Sequence, residues 1–562
     1  MRKFALIVLL ISTFAAAQQR VTKTQAAGTP GMLRGVPPAA VAAMRSIDAE
    51  RIRAHVKFLA HDLLEGRGTG QRGGDIAAEY IAAQFQLAGL EPAGENGTYM
   101  QKVPLVGVTT QPQTTFALIA QGSQPMQLTM RDDYVVTDES LSETSDIDAE
   151  LVFVGYGIKA PEYDWDDYKD TDVKGKVLLM LVNEPPSTDD RFFKGPALTY
   201  YGRWTYKYEE AARRGAVGAI LIHRTDMASY GWDVVRNSWS GERSYIKGEA
   251  PAVKAASWIQ LEIARKVLSS VGKDLDQFFD MAKARDFKPM PLPIRLQAKV
   301  VSALRPFTSN NVIARLPGAD PHLRPQAVIY TAHYDHLGIR PGAPGDNIYN
   351  GAADNATGTA LLMEMARAFA SSRVRPPRSI LFAAVTAEEQ GLRGSEFLGK
   401  NPPMPAGQIT LNLNFDNIQP WGWPEEVEVV GAERTSFYPV VQQTAKAFRL
   451  QIKPDSNPSA GYYYRSDHFS MARVGVPAFS VNEGQKFRGK TAEWGAQQAA
   501  DYTAKRYHQP SDEYNPQMDF SSSQAMAQFG FALGWQAASQ PRLVSWRPGD
   551  EFEAARKQSQ SK

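Results

Sequence analysis

The sequence predicts an α/β protein: a mixed, largely parallel sheet flanked by helices, with a small β-rich domain inserted into it. Three observations carry this expectation. Beyond residue 295, strand-like runs alternate with helical stretches, the pattern of parallel sheets whose crossovers are helices. Between about 140 and 290 the texture changes to short β-rich runs. Hydrophobic residues make up 43% and charged residues 22% of the 562 positions, without long runs of one sign, which excludes a disordered or fibrous chain.

Residues 1–17, "MRKFALIVLLISTFAAA", place Arg2 and Lys3 ahead of an apolar stretch ending in Ala15-Ala16-Ala17. This layout reads as an export signal cleaved after Ala17, because the stretch falls short of the ~20 residues that span a bilayer. Its removal takes the formal charge from +2 to neutrality, so no basic field for nucleic acid is expected. No later segment is apolar enough to span, and the mature chain is expected to be periplasmic or extracellular and free of the membrane. With no cysteine, the chain has neither disulfides nor thiolate chemistry, and any metal must be held by His, Asp and Glu.

Residues 18–139 read as the N-terminal part of the main domain. Ile52, Val56, Leu59 and Leu63 recur at helical spacing, and a second helix runs from about Asp75 to Ala88 with Gly89 as its stop. Between them, "EGRGTGQRGGD" follows no strand and lacks a P-loop ending, so a flexible connector is expected. Residues 140–290 carry strand-like runs at 149–158, 175–183, 215–224 and 250–257, with helices at "YKYEEAARR" and near "IQLEIARKVLSSVG". Their acidic loop "APEYDWDDYKD" lacks EF-hand spacing and reads as a solvated turn. Residues 291–540 form the rest of the main domain, with strands expected at 327–333, 379–389, 409–418, 427–432 and 477–483. In "GTALLMEMARAFA" Leu361, Met365 and Phe369 share one helix face. The tail, 541–562, is polar and expected to be mobile.

The metal-capable residues fall where such a sheet puts its ligands, beyond the carboxyl ends of the strands. His333 ends one strand with Asp335 two positions on, Asp354 precedes a helix, Glu388 and Glu389 end the next strand, Asp416 ends a third, and His508 lies in "YHQPSDEY". Gathering that many carboxylates on one rim is unfavourable without cations among them. Imidazoles and carboxylates without sulfur suit zinc. Two zinc ions can share five ligands if one carboxylate bridges: His333, Asp416 and Asp354 for one, Asp354, Glu389 and His508 for the other. Successive strand residues point to opposite sides, so Glu389 binds metal while Glu388 is left to accept a proton from water as general base.

The stretches "AHYDHLG", "YNGAADNATGTA", "AEEQGLRGSEF", "NFDNI" and "YHQPSDEY" resemble, in order, the five metal-site motifs of the co-catalytic di-zinc exopeptidases, which include bacterial secreted aminopeptidases and glutamate carboxypeptidases. The β-rich segment is similar to the protease-associated domain inserted in many members. The resemblance implies the zinc exopeptidase fold, a peptide substrate, zinc on the five residues above and the base role for Glu388. It further implies that Asp335 orients His333, that Tyr507 supports the developing oxyanion, and that the Asp354–Asn355 bond is cis. "RSDHFSMARVGVPAF" looks like the family's pocket-lining segment, in which Asp467 and His468 read equally well as substrate contacts or as a helix cap and a packed side chain. His336 reads as a neighbour of the site. "QPWGWP" and "GYYYR" read evenly as pocket walls or as packing.

An aminopeptidase is the preferred expectation. A carboxypeptidase would need cationic groups for a free C-terminus, and Arg393 or Arg465 cannot be placed from sequence. A glutaminyl cyclase would use one zinc, and a non-catalytic scaffold should have lost ligands, whereas none is missing.

Overall fold

The strands beyond residue 295 assemble, in the computed structural model, around Ala327–His333, which pairs parallel with Ser379–Val385 on one side and Ile409–Asn414 on the other. Residues 33–248, 252–340, 345–455 and 457–561 are described, and the expected signal at 1–17 lies outside them. Ala478–Ser480 extends the sheet, again in parallel, beyond Ile409–Asn414. The end of a 27-residue strand, Met290–Leu316, closes the opposite side antiparallel to Ser379–Val385.

The central strands read as continuous apolar runs because both faces are covered. Val328, Tyr330 and Ala332 point into the larger core, with residues of the helices Ala49–Leu59, Thr357–Ser371 and Ser521–Ala538. Ala327 and Ile329 point into a second core with Leu398, Phe469 and Trp546. The parallel register brings His333, Val385 and Asn414 to one rim. The expected strands 379–389 and 409–418 stop there, at Val385 and Asn414. Glu388, Glu389 and Asp416 therefore sit in the loops that follow. Ala387, at φ +55°, makes the turn.

The β-rich insertion is not a separate bead. Met290–Leu316 pairs with Thr144–Phe153 and Thr115–Ala120 in its first half, and the sheet continues through Val177–Leu181, Gly218–His223 and Ala255–Gln260 to Tyr134–Thr137. The division expected at 140 falls in the loop between Tyr134–Thr137 and Thr144–Phe153, and that at 290 at the start of Met290–Leu316, while strand pairing crosses both borders. The burial of Met290–Leu316 alternates in its first half, as in a strand with one face on a core, and becomes continuous in its last residues, where both faces are covered.

Two other expectations fail for packing reasons. "EGRGTGQRGGD" is ordered: a Cβ on Gly73 would lie 1.6 Å from the Leu64 carbonyl oxygen and one on Gly74 2.5 Å from that of Gly68. These glycines permit close approach of backbone to helix. The tail also belongs to the fold, because Val544, Trp546 and Phe552 are buried and Arg556 donates to the carbonyls of Ala406, Ile409 and Val544. In the acidic loop, Asp167 is buried and accepts from the Ile158 amide and the Trp165 indole.

Candidate metal centre

The rim collects the expected donors. His333 Nε2 lies 3.2 Å from Asp416 Oδ1 and 3.3 Å from Asp354 Oδ1. His508 Nε2 lies 3.4 Å from Asp354 Oδ2 and 3.0 Å from Glu389 Oε2. Asp354 therefore turns one oxygen toward each imidazole, the disposition that a bridging carboxylate needs. The Asp354–Asn355 bond is cis. Among the described residues, His333, Asp354 and Asp416 have donor atoms close enough to share one ion, and so do His336, Asp354 and Glu389. His336, read from sequence as a neighbour, sits 2.6 Å through Nδ1 from Glu389 Oε1.

The charges of this cluster are strongly coupled. Burial pushes the Asp354 and Glu389 carboxyls up, but histidines outweigh it: His333 and His508 bring Asp354 well below the usual range, and His508 and His336 bring Glu389 to about 2. In return, burial lowers the His508 imidazole while Glu389 and Asp354 raise it further, to about 10. Protons on the histidines thus balance the acids where metal is missing. Glu388 differs. No ion pair with its side chain occurs among the described residues, it lines a cavity with Tyr507 and His508, and burial, reinforced by the charge of Glu389, keeps it well above the usual carboxylate range despite His333. Its circumstance thus differs from that of Asp354 and Glu389, which the histidines hold low.

Asp335 accepts from the Glu388 amide at 3.1 Å and from Thr69 at 3.0 Å. Its carboxylate is 3.8 Å from His333 Nδ1, and its backbone carbonyl is nearer, at 3.1 Å. The Tyr507 ring stacks on His508 with centroids 4.0 Å apart. Asp467 and His468 are buried, with Ser395 beside the Asp467 carboxyl and the Tyr463 backbone beside the His468 ring. Asp467 does not cap the helix His468–Arg473, and His468 packs on Tyr463. Tyr464 and Arg465 of "GYYYR" line the cavity, whereas Trp421 and Trp423 of "QPWGWP" line another.

Sequence reasoning missed the residues that hold the ligand loops. Arg67, fully buried, donates to the carbonyls of Leu59, Tyr334, Asn350 and Gly351 at 2.6–2.8 Å. It thereby staples the loop after His333 to the loop before Asp354. Asp512 accepts from the amides of Ala353 and Asp354, each at 3.0 Å. Ser466 donates to Asp416 Oδ2. Asn355 donates to the Phe415 carbonyl and accepts from the Gly358 and Asn417 amides. Arg67 and Asp512 act on backbone groups remote in sequence, which no local pattern announces.

The rim of the parallel sheet thus gathers two imidazoles and three carboxylates, with Asp354 between the two imidazoles. Residues 311–532 match the model of Peptidase family M28. The chain is 26% identical over 265 residues to leupeptin-inactivating enzyme 1 of Streptomyces exfoliatus, covering 46% of this chain and 55% of that protein. It is 27% identical over 208 residues to aminopeptidase YwaD of Bacillus subtilis, covering 36% and 40%. A probable zinc metalloprotease of Pyricularia oryzae is 40% identical over 119 residues, 20% of this chain and 22% of that one. The chain thus spans between about a fifth and just over half the length of these curated relatives. The aminopeptidase from Aneurinibacillus sp. strain AM-1 shares the fold, with a TM-score of 0.53 at 20% identity over 91% of this chain and 98% of that one. No described helix is long and apolar enough to cross a membrane.

Proposed function

We propose that the protein is an exported zinc-dependent exopeptidase that removes N-terminal residues from peptides. The observation that carries this reading is Asp354 facing His333 with one oxygen and His508 with the other, while Glu388 stays unpaired beside them in a cavity. His333, Asp354 and Asp416 would hold one zinc ion and Asp354, Glu389 and His508 a second, and the donor set fits zinc because it offers only nitrogen and oxygen. Bound there, zinc supplies Lewis acidity toward water and a peptide carbonyl. Glu388 accepts the proton of the attacking water and passes it to the departing amine, work suited to a carboxylate that burial holds above its usual range. Tyr507 supports the tetrahedral oxyanion with its hydroxyl. Asp335, tied to the Glu388 amide and beside His333, keeps base and ligand in register. We further propose that the β-rich insertion is a protease-associated domain and that residues 1–17 direct export.

Metal analysis combined with a panel of chromogenic amino-acid amides, with free and with blocked amines, tests this reading. Near two zinc ions per chain and cleavage confined to free amines are expected. One ion with ring closure of glutaminyl substrates, or no metal and no hydrolysis, would overturn it.

A further inference from the structure

The parallel strands have two ends, and the chain loads them differently. His333, Val385 and Asn414 lie at the metal rim, while Ala327, Ser379 and Ile409 begin the same strands at the opposite end, ~20 Å away. Three loops meet at that far end. The amides of Ala319 and Asp320, in 317–326, donate to the carbonyls of Pro376 and Pro377, in 372–378. Arg378 in turn donates to the carbonyls of Ala538 and Gln540, where 539–543 begins.

These loops expose Arg324, Arg373, Arg375 and Arg542, with Arg315 half-buried behind them. None of the five has an ion pair among the described residues, and the side chains of Arg373, Arg375 and Arg542 make no hydrogen bond there either. Two acids border the group: Asp320, whose carboxylate accepts from the His322 and Leu323 amides, and Glu91, opposite Arg315 in the strand register. With 62 basic and 60 acidic residues in the whole chain, the patch is a local segregation of charge. The helices Thr357–Ser371 and Ser521–Ala538 end here, and their dipoles favour cations. That accounts for Arg378, buried against the Ala538 carbonyl, and not for the exposed arginines. Pro321, Pro325, Pro376, Pro377 and Pro541 stiffen the loops that display them.

Val374, between Arg373 and Arg375, is 37% exposed, and Leu87, four residues before Glu91, is 81% exposed. Apolar side chains among unpaired arginines suit a bilayer surface, where they enter the acyl boundary while the guanidinium groups stay among phosphates. A soluble polyanion would engage the charges and leave Val374 in water.

We propose that this end of the sheet docks on membranes containing anionic phospholipid, with the metal rim turned away from the bilayer. This departs from the expectation of a mature chain free of the membrane. The contact is peripheral, and it stands or falls apart from the peptidase reading.

Co-sedimentation with vesicles tests it, using the chain from Gln18 onward so that the apolar segment 1–17 cannot act as an anchor. Partition onto mixed phosphatidylglycerol–phosphatidylcholine vesicles is expected at low salt, with loss at about 1 M salt, where charges are screened beyond about 3 Å, and none onto phosphatidylcholine alone. Arg373→Gln combined with Arg375→Gln should weaken partition about 25-fold, about fivefold per arginine, with an unchanged urea midpoint because those side chains bond nothing. Lys273→Gln combined with Lys288→Gln, an equal change of charge on the insertion, should leave partition as it is. Val374→Ser should weaken partition and leave any binding of polyphosphate unaltered. No partition onto the anionic vesicles, equal partition onto neutral ones, equal loss in the two double variants, or binding of polyphosphate alone would overturn the proposal.

Discussion

Glu388 and Glu389 are adjacent in sequence and opposite in circumstance. Glu389 is clamped between His336 and His508, whereas Glu388 faces the cavity unpaired. Glu388→Gln should therefore keep its zinc, measured by atomic absorption, and lose about 10²–10⁴-fold in kcat, the usual contribution of a general base. Asp354→Ala should lose both ions, because one side chain faces both imidazoles, and retention of a full complement would refute the bridge. These residues were legible because metal chemistry restricts the residue types and the sheet restricts their positions. Asp467 was not: sequence offered a helix cap, but its carboxylate is buried and caps nothing.

At the scale of elements, the Gly-rich segment shows where residue-type reasoning stops. A glycine is usually read as freedom, yet Gly73 and Gly74 are there because backbone oxygens come within the reach of a Cβ. What that contact positions is Arg67. Arg67→Met should destabilise the fold by about 3 kcal/mol or more, since four carbonyls lose charged donors, as read from urea unfolding. Arg67→Lys should not restore stability, because an ammonium group cannot reproduce a planar fork of donors. The insertion was legible as a change of texture. Its borders were not, because the strand Met290–Leu316 continues through both sheets and periodicity alone marks no break within it.

For the whole molecule, metal and acidity are linked. His508, raised to about 10 from 6.5, contributes stability in metal-free protein that is complete below pH 6.5 and lost as the pH rises toward 10. Zinc requires the neutral imidazole, so binding must expel that proton. Calorimetry at pH 7 in buffers of different ionisation enthalpy should show net proton release, and zinc affinity should climb with pH by about tenfold per unit for each proton displaced. Net proton uptake would contradict the pairing of His508 with Glu389 and Asp354.

The strand Met290–Leu316 acts as a common spine for both lobes, and this bears on any attempt to divide the protein. A fragment beginning at residue 291 would keep that spine but strip it of Met100–Thr110, Thr115–Ala120 and Thr144–Phe153, baring a long row of backbone donors and acceptors. Such a fragment should aggregate on expression, and the intact chain should melt in one cooperative transition. The wall of the cavity beside Glu388 and the rim that carries His333, Asp354 and His508 would then rise and fall together.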